Sequence, residues 1–201
     1  MKLSIQRDKF LEGLSTVQSV VSTRTTLPIL ANVLLVAEEG QLSLSTTDLD
    51  TGIQTSVEAE VEKPGSITLP ARKLFSIIRE LSVTDIHLEV DAKNNTEIRS
   101  GKSFFKIMGL PEEDFPPFPK TDDAMVYKLA QKDFRHMLRK TSYAMSSDES
   151  RYVLNGELLS FKESKLTIVA TDGRRLALYE NEVDFPKSNE TEVILPSKAV
   201  G

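Results

Sequence analysis

The chain repeats part of its own sequence, and this repeat limits the possible folds more than any other feature. Four motifs recur in the same order: Phe10 at Phe134, Asn32 at Asn155, Thr47-Asp48 at Thr171-Asp172, and Leu69-Pro70 at Leu195-Pro196. The separations are 124, 123, 124 and 126 residues. Ordered matches at nearly constant spacing indicate two copies of one structural unit.

A proline-rich segment divides the two copies. The stretch "DFPPFPKTDD", residues 114–123, has three prolines in four positions, which neither a helix nor a central strand accommodates. We therefore predict a first domain over residues 1–120 and a second over 121–201. The second copy ends five residues after Pro196, before the counterpart of residues 76–120, so we expect it to be incomplete at its C terminus.

The periodicity within each copy predicts an α+β fold. Residues 7–21 and 131–145 carry apolar side chains at helical spacing, and "KLFSIIRELS" predicts a second helix in the first copy. The runs "DIHLEVD", "NTEIRSG" and "SFFKIMG" are typical of short strands. We expect antiparallel sheets covered on one side by two helices in each complete domain.

Composition restricts the chemistry of the chain. It has no cysteine, which rules out disulfides and thiolate metal sites, and its net charge of −5 argues against holding nucleic acid tightly by charge alone. Neither a signal peptide nor a membrane-spanning run is visible, so we expect a cytoplasmic protein.

Catalytic motifs are weak. "SGKS", residues 100–103, lacks the glycine that a phosphate-binding loop needs at position 96, and strands are predicted on both sides of it. The two histidines, His87 and His136, have no acidic neighbour at metal-ligand spacing. A hydrolase that uses Asp172 with His136 is one remaining enzymatic hypothesis, and no cofactor is expected.

The stretch "TDGRR", residues 171–175, interrupts two apolar runs. Asp-Gly between such runs predicts a hairpin turn in which the aspartate caps the backbone. The first copy has no counterpart of Arg174-Arg175. These cations either face solvent or line a binding groove, and the sequence leaves both interpretations open.

The predicted helix of residues 131–145 has a basic face opposite its apolar face, formed by Lys132, Arg135, His136, Arg139 and Lys140. Arg72 and Arg79 form a smaller basic stripe on the second helix of the first copy. Each face is either simply solvated or lies against phosphates, which fixes position without reading base sequence.

Five segments together resemble one family: "RTTLPILANVLL", "LPARKL", "RSGKSFFKIMGLPEEDFP", "RYVLNGEL" and "VATDGRRLAL". They resemble the bacterial DNA polymerase III beta subunit, or beta sliding clamp, family, over its N-terminal domain and part of its central domain. The resemblance implies a DNA clamp fold with three repeats per chain. Two chains then form a homodimeric ring around duplex DNA, with no enzymatic activity of its own. It also implies linear-motif partners: the replicative polymerase, the clamp loader and repair proteins.

The resemblance also implies roles for particular residues. DNA-proximal positions would be Arg24, Arg72, Arg151 and Tyr152, with Lys198 weaker. The peptide-binding pocket would include Leu154, Thr171, Gly173, Arg174, Arg175 and Leu176. The dimer interface would include Lys73, Phe105 and Ile107. Acidic Asp148 and Glu149 depart from what a DNA-proximal loop would favour. An alternative to the complete clamp is a truncated form that cannot encircle DNA and forms only part of the pocket.

Overall fold

The structure is a computed structural model that describes residues 1–21, 27–118, 125–148 and 150–200. The chain divides into two compact units, with the division between residues 118 and 119. The predicted domain boundary near residue 120 lies outside the described residues.

The described residues of the first unit form two antiparallel sheets and two α-helices. A four-stranded sheet has the order β4-β3-β2-β6 and a five-stranded sheet the order β5-β1-β7-β8-β9. The elements are β1 (Lys2–Gln6), α1 (Arg7–Val17), β2 (Asn32–Glu38), β3 (Gln41–Thr47), β4 (Gly52–Glu58), β5 (Glu60–Lys63), β6 (Gly65–Pro70), α2 (Ala71–Glu80), β7 (Asp85–Val90), β8 (Asn95–Ser100) and β9 (Ser103–Met108).

The core of the first unit joins both sheets to both helices. Phe10 and Leu14 from α1 and Ile78 from α2 are buried in one cluster with Leu35 of β2 and Leu88 of β7. Each such side chain contributes about 1.5–3 kcal/mol when fully buried. The apolar periodicity that predicted the helices is therefore the periodicity that packs them.

The described residues of the second unit form one antiparallel sheet of order β12-β11-β10-β13, one helix as long as α1, and one short helix. Its elements are α3 (Gln131–Thr141), β10 (Gly156–Lys162), β11 (Lys165–Thr171), β12 (Leu176–Glu182), β13 (Thr191–Pro196) and the short α4 (Ser197–Val200). Met137 of α3 packs with Leu159, Phe161 and Ile168 of the sheet. The ring of Tyr127 stacks on Phe161 with centroids 3.9 Å apart.

The internal repeat is confirmed by the equivalence of the two four-stranded sheets. The offset is 124 residues for α1 and α3 and for the first three strands, and 126 for β6 and β13. One anchor was wrong by a residue. The strand pairing places Asn32 opposite Pro70 and Gly156 opposite Pro196, so Gly156 is the counterpart of Asn32. Asn155 instead precedes the strand, where its carbonyl accepts a hydrogen bond from the Ser197 N–H.

The predicted α+β class with antiparallel sheets is confirmed. Strand β1 was not predicted from the sequence, although it lies between β5 and β7 and pairs with both. Five residues directly before a helix are too short for their alternation to be distinguished from helix entry. Among the described residues, none of the helices has the length and apolar content needed to cross a membrane.

Candidate functional site

The turn between β11 and β12 is held by its own side chains. Asp172 Oδ1 accepts hydrogen bonds from the N–H groups of Arg174 at 2.9 Å and Arg175 at 3.0 Å. The Thr171 hydroxyl accepts from the Gly173 N–H at 3.1 Å and donates to the Arg175 carbonyl at 2.7 Å. The prediction that Asp172 caps this turn is confirmed.

The first unit contains the same turn 124 residues earlier. Asp48 Oδ1 accepts from the N–H groups of Asp50 at 3.2 Å and Thr51 at 2.8 Å. The Thr47 hydroxyl accepts from the Leu49 N–H and donates to the Thr51 carbonyl, both at 3.0 Å. Leu49 has a φ of 82° where Gly173 has 86°. Thr-Asp therefore specifies this turn in both copies, whether or not glycine follows.

The turn leaves Asp172 unsuited to catalysis. The N–H groups of Arg174 and Arg175 hold the pKa of its carboxyl below the usual range. Its second oxygen, Oδ2, accepts from Arg175 Nε at 3.0 Å. His136 packs edge-on against the Tyr179 ring, with centroids 5.6 Å apart. Both oxygens of the carboxylate are thus engaged within the turn, which argues against a hydrolase built on these two residues.

Beside this turn lies an exposed surface that combines apolar and cationic groups. The Arg175 guanidinium lies 5.8 Å from the centre of the Tyr143 ring. Leu176, the first residue of β12, is 63% exposed, and Arg174 is exposed as well. Of the predicted pocket residues, Thr171, Gly173, Arg174, Arg175 and Leu176 are contiguous here, and half-buried Leu154 lies in the loop before β10.

Tyr143 belongs to this surface but was not predicted from the sequence. It lies in a short 3₁₀ turn, residues 142–144, which continues α3 and packs against β11 and β12. An aromatic residue just beyond a predicted helix has no distinguishing pattern. Only its 61% exposure and its position over Arg175 mark it as part of the surface.

The basic face of α3 is exposed as predicted, while Met137 and Thr141 on the opposite face are buried. Lys132, Arg135, Arg139 and Lys140 form no ion pair with any residue that the structure describes. Four such cations on the exposed face of a helix can donate hydrogen bonds to phosphate oxygens without first breaking salt bridges within the described residues.

The loop before β10 holds two further predicted DNA-proximal residues, Arg151 and Tyr152, both exposed. Arg151 Nε lies 3.6 Å from Asp148 Oδ2. A hydrogen bond from the Ser150 hydroxyl lowers the pKa of Asp148, which therefore stays charged in this loop. Glu149 lies outside the described residues.

The other predicted positions lie on separate elements of the two units. Arg72 and Lys73 are exposed on α2, and Lys198 is exposed on α4. Phe105 is exposed on β9, the edge strand of the five-stranded sheet. Ile107 is a correction: it is 2% exposed and packs into the core, so its side chain supports this edge from inside instead of presenting a surface. Arg24 lies outside the described residues.

Among the described residues, no three His, Cys, Asp or Glu side chains lie close enough together to form a metal site.

Comparison with known proteins identifies the family. The family model of the DNA polymerase III beta subunit N-terminal domain matches residues 1–119, and that of the central domain matches residues 128–201. A beta sliding clamp of Chlamydia muridarum is 36% identical over 200 residues, which cover 100% of this chain and 55% of that protein.

Solved structures agree with the sequence comparison. The crystal structure of a Bacillus subtilis DNA polymerase sliding clamp aligns with a TM-score of 0.92 at 32% identity. A Pseudomonas aeruginosa sliding clamp bound to griselimycin aligns with a TM-score of 0.90 at 39% identity. Each alignment covers 100% of this chain and 55% of the relative, so the chain spans about half the length of the proteins it matches. On the strength of both domain matches and the shared fold, this chain belongs to the DNA polymerase III beta subunit family.

Proposed function

We propose that this chain is part of a sliding clamp, a processivity factor that encircles duplex DNA and tethers the replicative polymerase through short peptide motifs. In this proposal residues 1–120 are the first clamp domain and residues 121–201 belong to the second. The protein has no catalytic role of its own and works in the cytoplasm as part of a homodimeric ring.

The basic face of α3 is the observation that supports the DNA-binding half of the proposal. Its cations form no ion pairs within the described residues, although the whole chain carries a net charge of −5. A ring holds DNA by enclosing it. Weak contacts between its inner surface and the phosphates are therefore sufficient, and tight binding is not needed. Arg24, Arg72, Arg151, Tyr152 and Lys198 remain proposed DNA-proximal positions.

The turn at residues 171–175 is the observation that supports the peptide-binding half. It fixes the backbone of Arg174 and Arg175 through Asp172 while leaving Leu176 exposed next to it. An apolar surface with a cationic rim suits a peptide with aliphatic or aromatic anchors and an acidic flank. We propose this surface as the binding site for motifs of the polymerase, the clamp loader and repair proteins.

A dimer interface is proposed at the β9 edge. Phe105 is exposed on this unpaired edge, and Lys73 is exposed on α2. An edge strand with exposed apolar side chains is a site at which a second chain can pair.

The second candidate is a truncated clamp that binds peptides weakly and does not enclose DNA. The chain spans 55% of the length of the Chlamydia muridarum relative, so this candidate concerns the 201 residues on their own. Light scattering distinguishes the two candidates. A monomer near 22.4 kDa supports the truncated form, whereas a trimer would assemble six domains and so restore a ring.

The peptide site is tested by Arg175→Ala and Leu176→Ala with a fluorescein-labelled peptide that carries an aliphatic and an aromatic anchor. We expect each substitution to weaken binding about tenfold or more, the usual effect of truncating a central contact residue. Lys165→Ala is the control, because Lys165 is a cation of the same sheet paired with Glu180 at 2.9 Å. Anisotropy that is unchanged in both test variants would reject the site.

A further inference from the structure

Gly52 in the first unit is the repeat counterpart of Leu176 in the second. Each is the first residue after the shared turn, and each pairs with the threonine that begins it, Thr47 or Thr171. The second unit presents a leucine side chain at this position, whereas the first unit presents none. The surfaces beside the two copies of the turn therefore differ by one apolar side chain.

The space beside Gly52 is filled by the proline-rich segment of the same chain. A Cβ built on Gly52 would lie 2.7 Å from Cε1 and 3.0 Å from Cζ of Phe118. Phe118 is half-buried, and Phe115, three residues before it, is buried. A side chain at position 52 would overlap the ring, so glycine is what allows this ring to pack there.

We propose that Phe118 occupies the first repeat's copy of the peptide surface in cis, and so keeps that copy closed to partner peptides. This inference rests on the proposed peptide site of the second repeat, whose turn has the same hydrogen bonds. The occupant is an aromatic residue that follows two prolines, held by the chain's own backbone at a high effective concentration. The second repeat lacks such an occupant among its described residues, and its Leu176 stays exposed.

The cis contact has a specific spectroscopic signature. In NMR spectra, an aromatic ring in contact with Gly52 shifts the resonances of the Gly52 α-protons. Phe118→Leu should remove that shift while keeping an apolar side chain at position 118. Phe118→Ala should do the same and also leave the surface vacant. The control is Phe104→Ala, because Phe104 is an exposed phenylalanine of the same unit on β9. We expect it to leave the Gly52 resonances unchanged.

The vacated surface should accept the ring again in trans. The probe is a synthetic peptide with the sequence of residues 112–118, added at about millimolar concentration, the effective concentration typical of a short tether. We expect it to restore the Gly52 shift in Phe118→Ala and to leave the intact chain unaffected. With a fluorescein-labelled copy of this peptide, the chain that carries both Phe118→Ala and Gly52→Ala should show weaker binding by anisotropy than Phe118→Ala alone, because a Cβ at position 52 would overlap the ring.

Two results would overturn the proposal. Gly52 resonances that are identical in Phe118→Ala and in the intact chain would mean that no ring occupies the surface. Equal peptide effects on both proteins would mean that nothing closes it. The Gly52 signal reports on the first unit alone, whereas the assay with Arg175→Ala and Leu176→Ala reports on the second. A failure of this inference is therefore distinguishable from a failure of the proposed function.

Discussion

Leu49 and Gly173 hold the same left-handed backbone conformation at equivalent positions, with φ values of 82° and 86°. A leucine in this region is strained by about 1–2 kcal/mol, whereas glycine adopts it freely. Leu49 is 59% exposed, so removing its side chain costs little packing. Leu49→Gly should raise the free energy of unfolding by about 0.5–1 kcal/mol, after subtracting the extra flexibility of glycine in the unfolded chain. Urea denaturation measures this change.

The reciprocal substitution is the matched control. Gly173→Leu places a leucine in the same conformation in the second unit, where no atom lies within 4 Å of a Cβ built there. A loss of about 1–2 kcal/mol is expected from backbone strain alone. If both substitutions destabilise equally, the backbone conformation is not what distinguishes the two positions.

Glu157 is a buried carboxyl in the core of the second unit, where the first unit has Val33 at the equivalent position. Its Oε1 accepts from the Thr141 hydroxyl at 2.9 Å, and its Oε2 has no hydrogen-bond partner among the described residues. Burial raises the pKa of Glu157. The stabilising contribution of the protonated carboxyl is therefore complete below the unfolded-state pKa of about 4.3. It is lost as the pH rises through the folded-state pKa.

Glu157→Gln should accordingly have a higher free energy of unfolding than the intact chain at neutral pH. Below about pH 4.3 the two free energies should be similar, because the glutamate is then protonated in both the folded and the unfolded chain. Glu157→Val should also stabilise at neutral pH, by about 1–3 kcal/mol, the cost of an unsatisfied buried polar group. Thr141 keeps a partner in that variant, because its hydroxyl also contacts the Met137 carbonyl at 3.1 Å. Urea titrations at several pH values test this, and a difference that is independent of pH would contradict it.

At the scale of elements, the sequence predicts what depends on repetition and periodicity. Both long helices of the first unit, the strands β7 to β9 and the equivalence of the two sheets follow from apolar spacing. The turn at Leu49 depends on neither repetition nor periodicity. The sequence predicts a turn from Asp-Gly in the second copy, and in the first copy the Thr and Asp side chains impose the same geometry without glycine.

The candidate site was predictable only where residues adjoin in sequence. Residues 171–176 form one turn, so their proximity follows from the chain. The Tyr143 ring over Arg175 and the Phe118 ring over Gly52 depend on packing between residues 32 and 66 positions apart. Neither contact leaves a periodic signal, because each involves one aromatic side chain and one residue distant in sequence.

The basic face of α3 gives a prediction at the scale of an element. Replacing Lys132 and Arg139 with alanine removes two cations that form no ion pair within the described residues. Each phosphate contact contributes about 0.9 to the slope of log K against log salt concentration, so the slope for duplex DNA should fall by about 2. Fluorescence anisotropy of a labelled duplex over a salt series measures this slope.

The control for that experiment removes equal charge from the sheet of the same unit. Lys162 and Lys165 are paired with Glu192 at 2.8 Å and Glu180 at 2.9 Å. Their replacement with alanine should leave the salt slope nearly unchanged. If both double variants lower the slope equally, DNA responds to net charge and α3 is not a specific contact surface.

At the scale of the whole chain, the two units differ in how completely their sheets are covered. Ile67 of β6 is fully buried, but its counterpart Val193 of β13 is 48% exposed. Leu74 and Ile78 of α2 belong to the core of the first unit, whereas α4 is described only over Ser197–Val200. Each apolar side chain left uncovered forgoes about 1.5–3 kcal/mol. The second unit of this chain should therefore be the less stable.

Intrinsic fluorescence can separate the two units, because the chain has no tryptophan and all four tyrosines lie in the second unit, at positions 127, 143, 152 and 179. Tyr127 is stacked on Phe161 in the core, so its emission reports on unfolding there. In a urea titration we expect the tyrosine transition at a lower concentration than the main far-UV circular dichroism transition, which includes both sheets of the first unit. Leu74→Ala should change only the circular dichroism transition, lowering the free energy of unfolding of the first unit by about 2–5 kcal/mol, the usual cost of truncating a core leucine. Coincident transitions in both signals would show instead that the two units unfold together, and that the exposed strand β13 does not limit the stability of its own unit.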